Sequence, residues 1–197
     1  MYNTRADIDR LVETLQEIVT THSVRASNAS AESSDESSDE QTSIAFAAAS
    51  RPTIVEAAEE LVEEFLLFDD KQSKTELLME LGEALPDTFV PLKALTTPVP
   101  GCMSEVYLIG RPVPDAPNKF EFVADSNAQI VRGLIALLQA LFSGQLASDV
   151  LHFDVESLFR QIGLDQFVSS QRRSGLDGMI RRIRALAQAI ENRSKES

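Results

Sequence analysis

One segment constrains everything around it. Between Asn127 and Phe142 the chain carries Ile130, Val131, Leu134, Ile135, Leu137, Leu138 and Leu141, which run nearly all round a helix instead of along one stripe. A helix of this kind cannot lie on a surface, so the flanking segments must cover it in layers. Ser126 and Gln129 stand at the spacing of a capping box, which sets its expected start at Asn127.

The flanks supply the cover. Ile54, Val55, Ala58, Leu61, Val62, Phe65 and Leu66 share one helical face while Glu56, Glu59, Glu60, Glu63 and Glu64 take the other, the pattern of a surface helix over a core. A second helix is expected over Glu76 to Leu85, stopped by Pro86, whose ring and missing N–H prevent continuation. Pro86, Pro91, Pro98 and Pro100 then make the stretch to Gly101 an extended connector. Towards the C-terminus, Val155, Leu158, Phe159 and Ile162 keep helical spacing up to a stop at Gly163. A last helix carries Leu176, Met179, Ile180, Ile183, Ala187 and Ile190 as its stripe, with Arg181, Arg182 and Arg184 close by.

Only two segments read as strands. Glu105 to Ile109 and Lys119 to Ala124 are short, rich in β-branched and aromatic residues, and separated by a proline-containing loop, which predicts antiparallel neighbours with Phe120 and Phe122 on one face. The expected fold class is therefore α+β: a small antiparallel sheet packed by several helices.

Charge separates the N-terminus from this domain. Residues 1–50 hold 3 basic and 9 acidic side chains of a chain whose net charge is −13. Ser27 to Glu40 reads SNASAESSDESSDE, which cannot bury enough apolar area to offset its ordering entropy, so the extension is expected to be acidic and disordered. Ahead of it, Ile8, Leu11, Val12, Leu15, Ile18 and Val19 are spaced for one short amphipathic helix, either a docked arm or a loosely formed one. The expected organisation is an extension over 1–50, a domain over 51–192 and a C-terminal tail over 193–197.

Composition excludes several function classes. No apolar run reaches the roughly 18 residues of a membrane span, and the first residues lack a signal peptide's basic opening and apolar stretch, so a cytoplasmic location is expected. The acidic balance argues against nucleic acid and anionic lipid as partners. With one cysteine and two histidines, His22 and His152, no disulfide and no metal site built from Cys and His alone can form within one chain. Phosphate-loop, dinucleotide-turn and nucleophile-elbow signatures are missing, and His152-Phe-Asp154 is the only close His and carboxylate pair.

Redox or sulfur chemistry must therefore run through Cys102. It sits in Pro98-Val-Pro-Gly-Cys-Met-Ser104, where the prolines stiffen the approach and Gly101 permits a tight turn, so the thiol is either offered at a loop tip or buried as a small hydrophobe. Arg172 and Arg173 precede a helix start, where a cation gains nothing from the dipole; they face an anion or thiolate, or form ordinary surface pairs.

Four separated motifs, in order, resemble the SufE family of cysteine desulfuration proteins. They are Val99-Pro-Gly-Cys-Met-Ser-Glu-Val106, Ala124-Asp-Ser-Asn-Ala-Gln-Ile-Val-Arg-Gly-Leu-Ile-Ala136, Asp154 after Phe153, and Ser170-Gln-Arg-Arg-Ser-Gly-Leu-Asp-Gly-Met179. The resemblance covers about Glu76 to Ala187 and leaves the first 50 residues outside. It implies a SufE-like fold in which Cys102 accepts sulfane sulfur, as a persulfide, from a pyridoxal-phosphate-dependent cysteine desulfurase of the SufS-like or CsdA-like kind. It further implies stimulation of that enzyme and transfer of the sulfur to a SufBCD-like scaffold in iron–sulfur cluster assembly. On the same grounds Arg172 is a neighbour of the thiolate or persulfide, with Arg173 the other candidate, and the protein needs no cofactor or metal of its own. Two positions depart from the family pattern: Tyr107 where relatives often have Trp, and Asn127 where many have a second Asp. The competing function is a non-catalytic acidic interaction module on the same fold.

Overall fold

The computed structural model describes residues 44–196. The amphipathic segment near the N-terminus and the Ser27–Glu40 stretch lie outside the described residues.

Eight helices and three strands follow one another among the described residues: α1 (Ile54–Leu66), α2 (Lys71–Glu83), α3 (Phe89–Leu95), β1 (Val106–Val113), β2 (Ala116–Ser126), α4 (Gln129–Phe142), β3 (Gln145–Leu146), α5 (Ala147–His152), α6 (Val155–Ile162), α7 (Leu164–Phe167) and α8 (Ser170–Glu196). β2 lies between β1 and β3 and is antiparallel to both, with Val106 opposite Ser126 and Phe120 opposite Gln145. Residues Val106 to Ile109 are all buried, although alternate side chains point to opposite faces, so both faces of the sheet are covered here. α8 packs on β1 and β2, and α4 on β2. The all-round apolar segment is central, as expected: Leu134, Ile135, Leu137, Leu138, Leu141 and Phe142 are fully buried. Phe120 and Phe122 are fully buried too and stack with centroids 5.6 Å apart.

Several boundaries differ from the sequence expectations, each for a local reason. α4 begins at Gln129 because Ser126 is still the last residue of β2; its hydroxyl accepts from Ala128 N at 3.3 Å and no capping box forms. The capping box stands at α1, where Thr53 and Glu56 exchange both bonds. α2 starts five residues early, capped by Asp70 accepting from Ser73 N, since its polar first turn carries no apolar period. The connector after Pro86 contains α3, whose third residue is Pro91; a proline in a first turn removes an N–H that has no helical partner. Both strands run longer than their apolar cores, and β3 escapes periodicity because it has two residues. The C-terminal helix begins at Ser170, placing Arg172 and Arg173 inside its first turn. Gly163 is the stop it was expected to be, in the left-handed region at φ 70°. On α1 the buried face is Ile54, Ala57, Ala58, Leu61 and Phe65, leaving Val55 and Leu66 exposed.

Residues 45–50 lie in the compact unit Ala45–Ser197. The fully buried Ser143 hydroxyl donates to Ala47 O, Ser50 donates to Ala140 O at 2.6 Å, and the Arg111 guanidinium lies 4.0 Å from the Phe46 ring centroid. Deleting 1–50 is therefore expected to leave a domain less stable than deleting 1–44 by about 1–3 kcal/mol, the cost of an orphaned buried hydroxyl. Urea unfolding of the two truncations checks this, and equal midpoints would show that the Ala45–Ser50 strap contributes nothing. Among the described residues, no helix is long and apolar enough to cross a membrane.

Candidate functional site

The Cys102 loop closes at its base, where Val99 N donates to Val106 O at 2.8 Å and the Val99 side chain is buried. Gly101, at φ 86°, makes the turn that a side-chain-bearing residue would resist. The exit is held as well: Glu105 N donates to Asn127 Oδ1 at 3.2 Å, and the Glu105 carboxylate pairs with Lys93 of α3 at 3.0 Å. Asn127 needs only its amide oxygen for this anchor. Tyr107 is 4% exposed and meets Phe89 edge to face at 5.4 Å, so its ring serves packing.

Between these anchors the loop rests on α8. The Cys102 thiol is half-buried and donates to Gly175 O at 3.4 Å. A Cβ on Gly175 would meet Cys102 Sγ at 3.3 Å, and one on Gly178 would meet Pro100 O at 2.7 Å. Two glycines three residues apart therefore form a bare strip that lets the loop approach the helix backbone. Glycine in a helix interior costs about 1 kcal/mol relative to alanine, and close approach is what offsets it. Arg181 continues the same line, its Nη2 lying 3.9 Å from where a Gly101 Cβ would be. Met103, next to the cysteine, is 81% exposed.

Partial burial pushes the Cys102 thiol above its ordinary pKa, and the Arg181 guanidinium pulls it part of the way back. The thiolate fraction at neutral pH is accordingly below that of an unperturbed cysteine. Arg181→Ala removes the lowering influence, so the midpoint of iodoacetamide alkylation against pH is expected to move further up and the rate at neutral pH to fall. A midpoint that stays put or drops would mean that Arg181 does not act on the sulfur.

The cation whose charge lowers the Cys102 pKa is Arg181, which the sequence placed only near an apolar stripe. Its signal was the spacing Gly175, Gly178, Arg181 along one helix face. Arg172 lies exposed, one turn before Gly175. Arg173 is exposed and borders a shallow hollow with Glu156, Asp165 and Asp177. His152 and Asp154 serve local structure: His152 Nδ1 lies 2.7 Å from Ser148 O, and Asp154 caps α6 by accepting from Ser157 N at 3.1 Å. Among the described residues no three His, Cys, Asp or Glu side chains are grouped to hold a metal ion.

Comparison with known proteins places this arrangement. Residues 59–187 match the SufE domain, described as an Fe-S metabolism associated domain. An uncharacterized SufE-like protein of Rhizobium etli is 37% identical over 127 residues, covering 64% of this chain and 86% of that protein. One of Rhizobium meliloti is 36% identical over 131 residues, covering 66% and 94%. In fold, the chain is similar to the solution structure of a hypothetical protein from Thermus thermophilus, with a TM-score of 0.57 at 18% identity over 69% of this chain and 96% of that one. The matched region runs from within α1 to within α8 and contains the cysteine loop, its glycine strip and Arg181, so the chain belongs to the SufE family, whose domain is associated with iron–sulfur metabolism.

Proposed function

We propose that this protein is a cytosolic sulfur acceptor and carrier in iron–sulfur cluster assembly. Cys102 takes sulfane sulfur from the cysteine persulfide of a pyridoxal-phosphate-dependent desulfurase, stimulates that enzyme by unloading it, and delivers the sulfur to a cluster scaffold. In the first transfer the Cys102 thiolate attacks the terminal sulfur of the desulfurase persulfide. One S–S bond forms as the other breaks, the desulfurase thiolate leaves, and no external oxidant or reductant is consumed.

The observation that carries this reading is the setting of the chain's single cysteine, half-buried and held to α8 by one thiol hydrogen bond and a bare glycine strip. Such a thiol can be shielded at rest and offered when the loop lifts. Arg181 supplies a positive charge for the thiolate and then for the persulfide anion, and Arg172 is a second cation for the lifted loop.

The test is intact mass after incubation with the desulfurase of the same organism, pyridoxal phosphate and free cysteine. A gain of roughly 32 Da, one sulfur, is expected on the wild type and not on Cys102→Ser. No gain on a folded sample beside an active desulfurase would favour the alternative, an acidic interaction module that binds without accepting sulfur.

A further inference from the structure

Away from the cysteine loop, α1 and α6 leave an open groove of about 630 Å³ between them. Its apolar lining is Val55, which is 56% exposed, with Val62 and Phe153 half-buried over the buried Leu158. Val55 lies off the buried face of α1 and is the most exposed apolar side chain of the groove lining. The rim is acidic, with Glu59 and Glu63 from α1 one turn apart; Asp154 also borders it but caps α6 and lies 4.0 Å from the Arg160 guanidinium. Neither Glu59 nor Glu63 forms an ion pair among the described residues, whereas Glu60 is paired with Arg51 and Glu56 belongs to the capping box.

We infer that this groove seats a basic amphipathic helix of a partner protein, its aliphatic face on Val55, Val62 and Phe153 and its lysines or arginines against Glu59 and Glu63. Charge complementarity selects the occupant. A nucleic acid, an anionic membrane or an acidic peptide would set negative charge against these carboxylates, and a neutral small molecule would leave them unused. The dimensions agree with a helix: Val55 to Glu63 spans about 12 Å at 1.5 Å per residue, just over two turns of a docked helix presenting i, i+3, i+4 and i+7 anchors. The inference stands apart from sulfur acceptance, since none of these residues belongs to the Cys102 loop or its seat on α8.

The experiment uses the full chain and a synthetic leucine/lysine peptide of about 18 residues, long enough to fold on binding, whose leucines occupy one helical face. A scrambled peptide of the same composition lacks that face. Fluorescence anisotropy is expected to show the amphipathic peptide binding at least about tenfold more tightly than the scramble, a difference of about 1.4 kcal/mol. Ser157→Trp, which fills the groove without changing charge, is expected to remove that preference. Glu59→Gln with Glu63→Gln, at exposed positions that do not threaten the fold, is expected to weaken binding and flatten its salt dependence. Equal affinity for the two peptides, or no effect of Ser157→Trp on a folded sample, would reduce the groove to generic acidic surface and overturn the inference. Concentration-dependent dimers in sedimentation that Ser157→Trp abolishes would overturn it in favour of a second copy of this chain.

Discussion

Replacing Arg132 by alanine is expected to destabilise the domain by about 3–5 kcal/mol, the cost of leaving a buried charge without its partner. Asp125 is fully buried at the end of β2, and Arg132, one helical turn into α4, is the only cation bonded to it among the described residues. The remaining lone pairs of Asp125 take Thr88 N at 2.8 Å and Ser126 N at 2.7 Å. Arg132 meanwhile closes the end of α2, donating from Nε to Gly82 O at 3.1 Å and from Nη2 to Leu85 O at 2.7 Å. The variant thus leaves the Asp125 carboxylate without its cation and Leu85 O without its side-chain donor at the junction of α2, α3, β2 and α4, while Gly82 O keeps its backbone bond from Leu85 N. For a domain of this size the melting temperature should fall by roughly 6–20 °C. Arg132→Lys recovers little of this, because an ammonium cannot reach three acceptors with the planar geometry of a guanidinium. Asp125→Asn with Arg132→Met should recover more, since removing both charges costs less than stranding one. A drop of less than a few degrees for Arg132→Ala would mean that water reaches the Asp125 carboxylate.

Gly178→Val is expected to produce the largest change at the cysteine. The added side chain points at Pro100 O, a backbone atom that cannot swing aside, so the loop itself must leave the helix. Valine in place of a helix-interior glycine does not weaken α8 by propensity, which separates this effect from unfolding. Cys102 would lose both its hydrogen bond to Gly175 O and the burial that raises its pKa. The sign follows directly: relief of burial lowers the pKa, the thiolate fraction at neutral pH rises, and alkylation becomes several-fold faster while its pH midpoint moves down towards that of free cysteine. Alkylation as slow as in the wild type, on a folded sample, would show that the loop does not depend on the glycine strip. Comparing sulfur acceptance in this variant with the wild type then reports whether the resting seat of the loop limits the transfer.

Much of the fold was legible from local pattern. The all-round apolar period of residues 130–141 determined a buried central helix, Gly163 marked a helix end, and the β-branched and aromatic runs marked the two long strands. These features depend on residues a few positions apart, and backbone periodicity carries that information directly. α3 and β3 were not legible, since seven residues with a proline in the first turn and two residues in a ladder are too short to establish a period.

The cysteine itself was legible too. Counting thiols and histidines left Cys102 as the only group able to carry sulfur chemistry, and its proline and glycine neighbours marked a loop. Which cation acts on it was not. Arg172 and Arg173 stood out by sequence motif; the guanidinium whose charge lowers the Cys102 pKa is Arg181, because the rotation and axial position of α8 against the sheet decide which of its arginines lies beside the loop. The same holds for Asp125 and Arg132, whose side chains complete their hydrogen bonds on Thr88, Gly82 and Leu85, 37 to 50 residues away in sequence. Periodicity along one helix says which face is buried; what that face meets depends on how distant elements pack, and only the tertiary structure decides that.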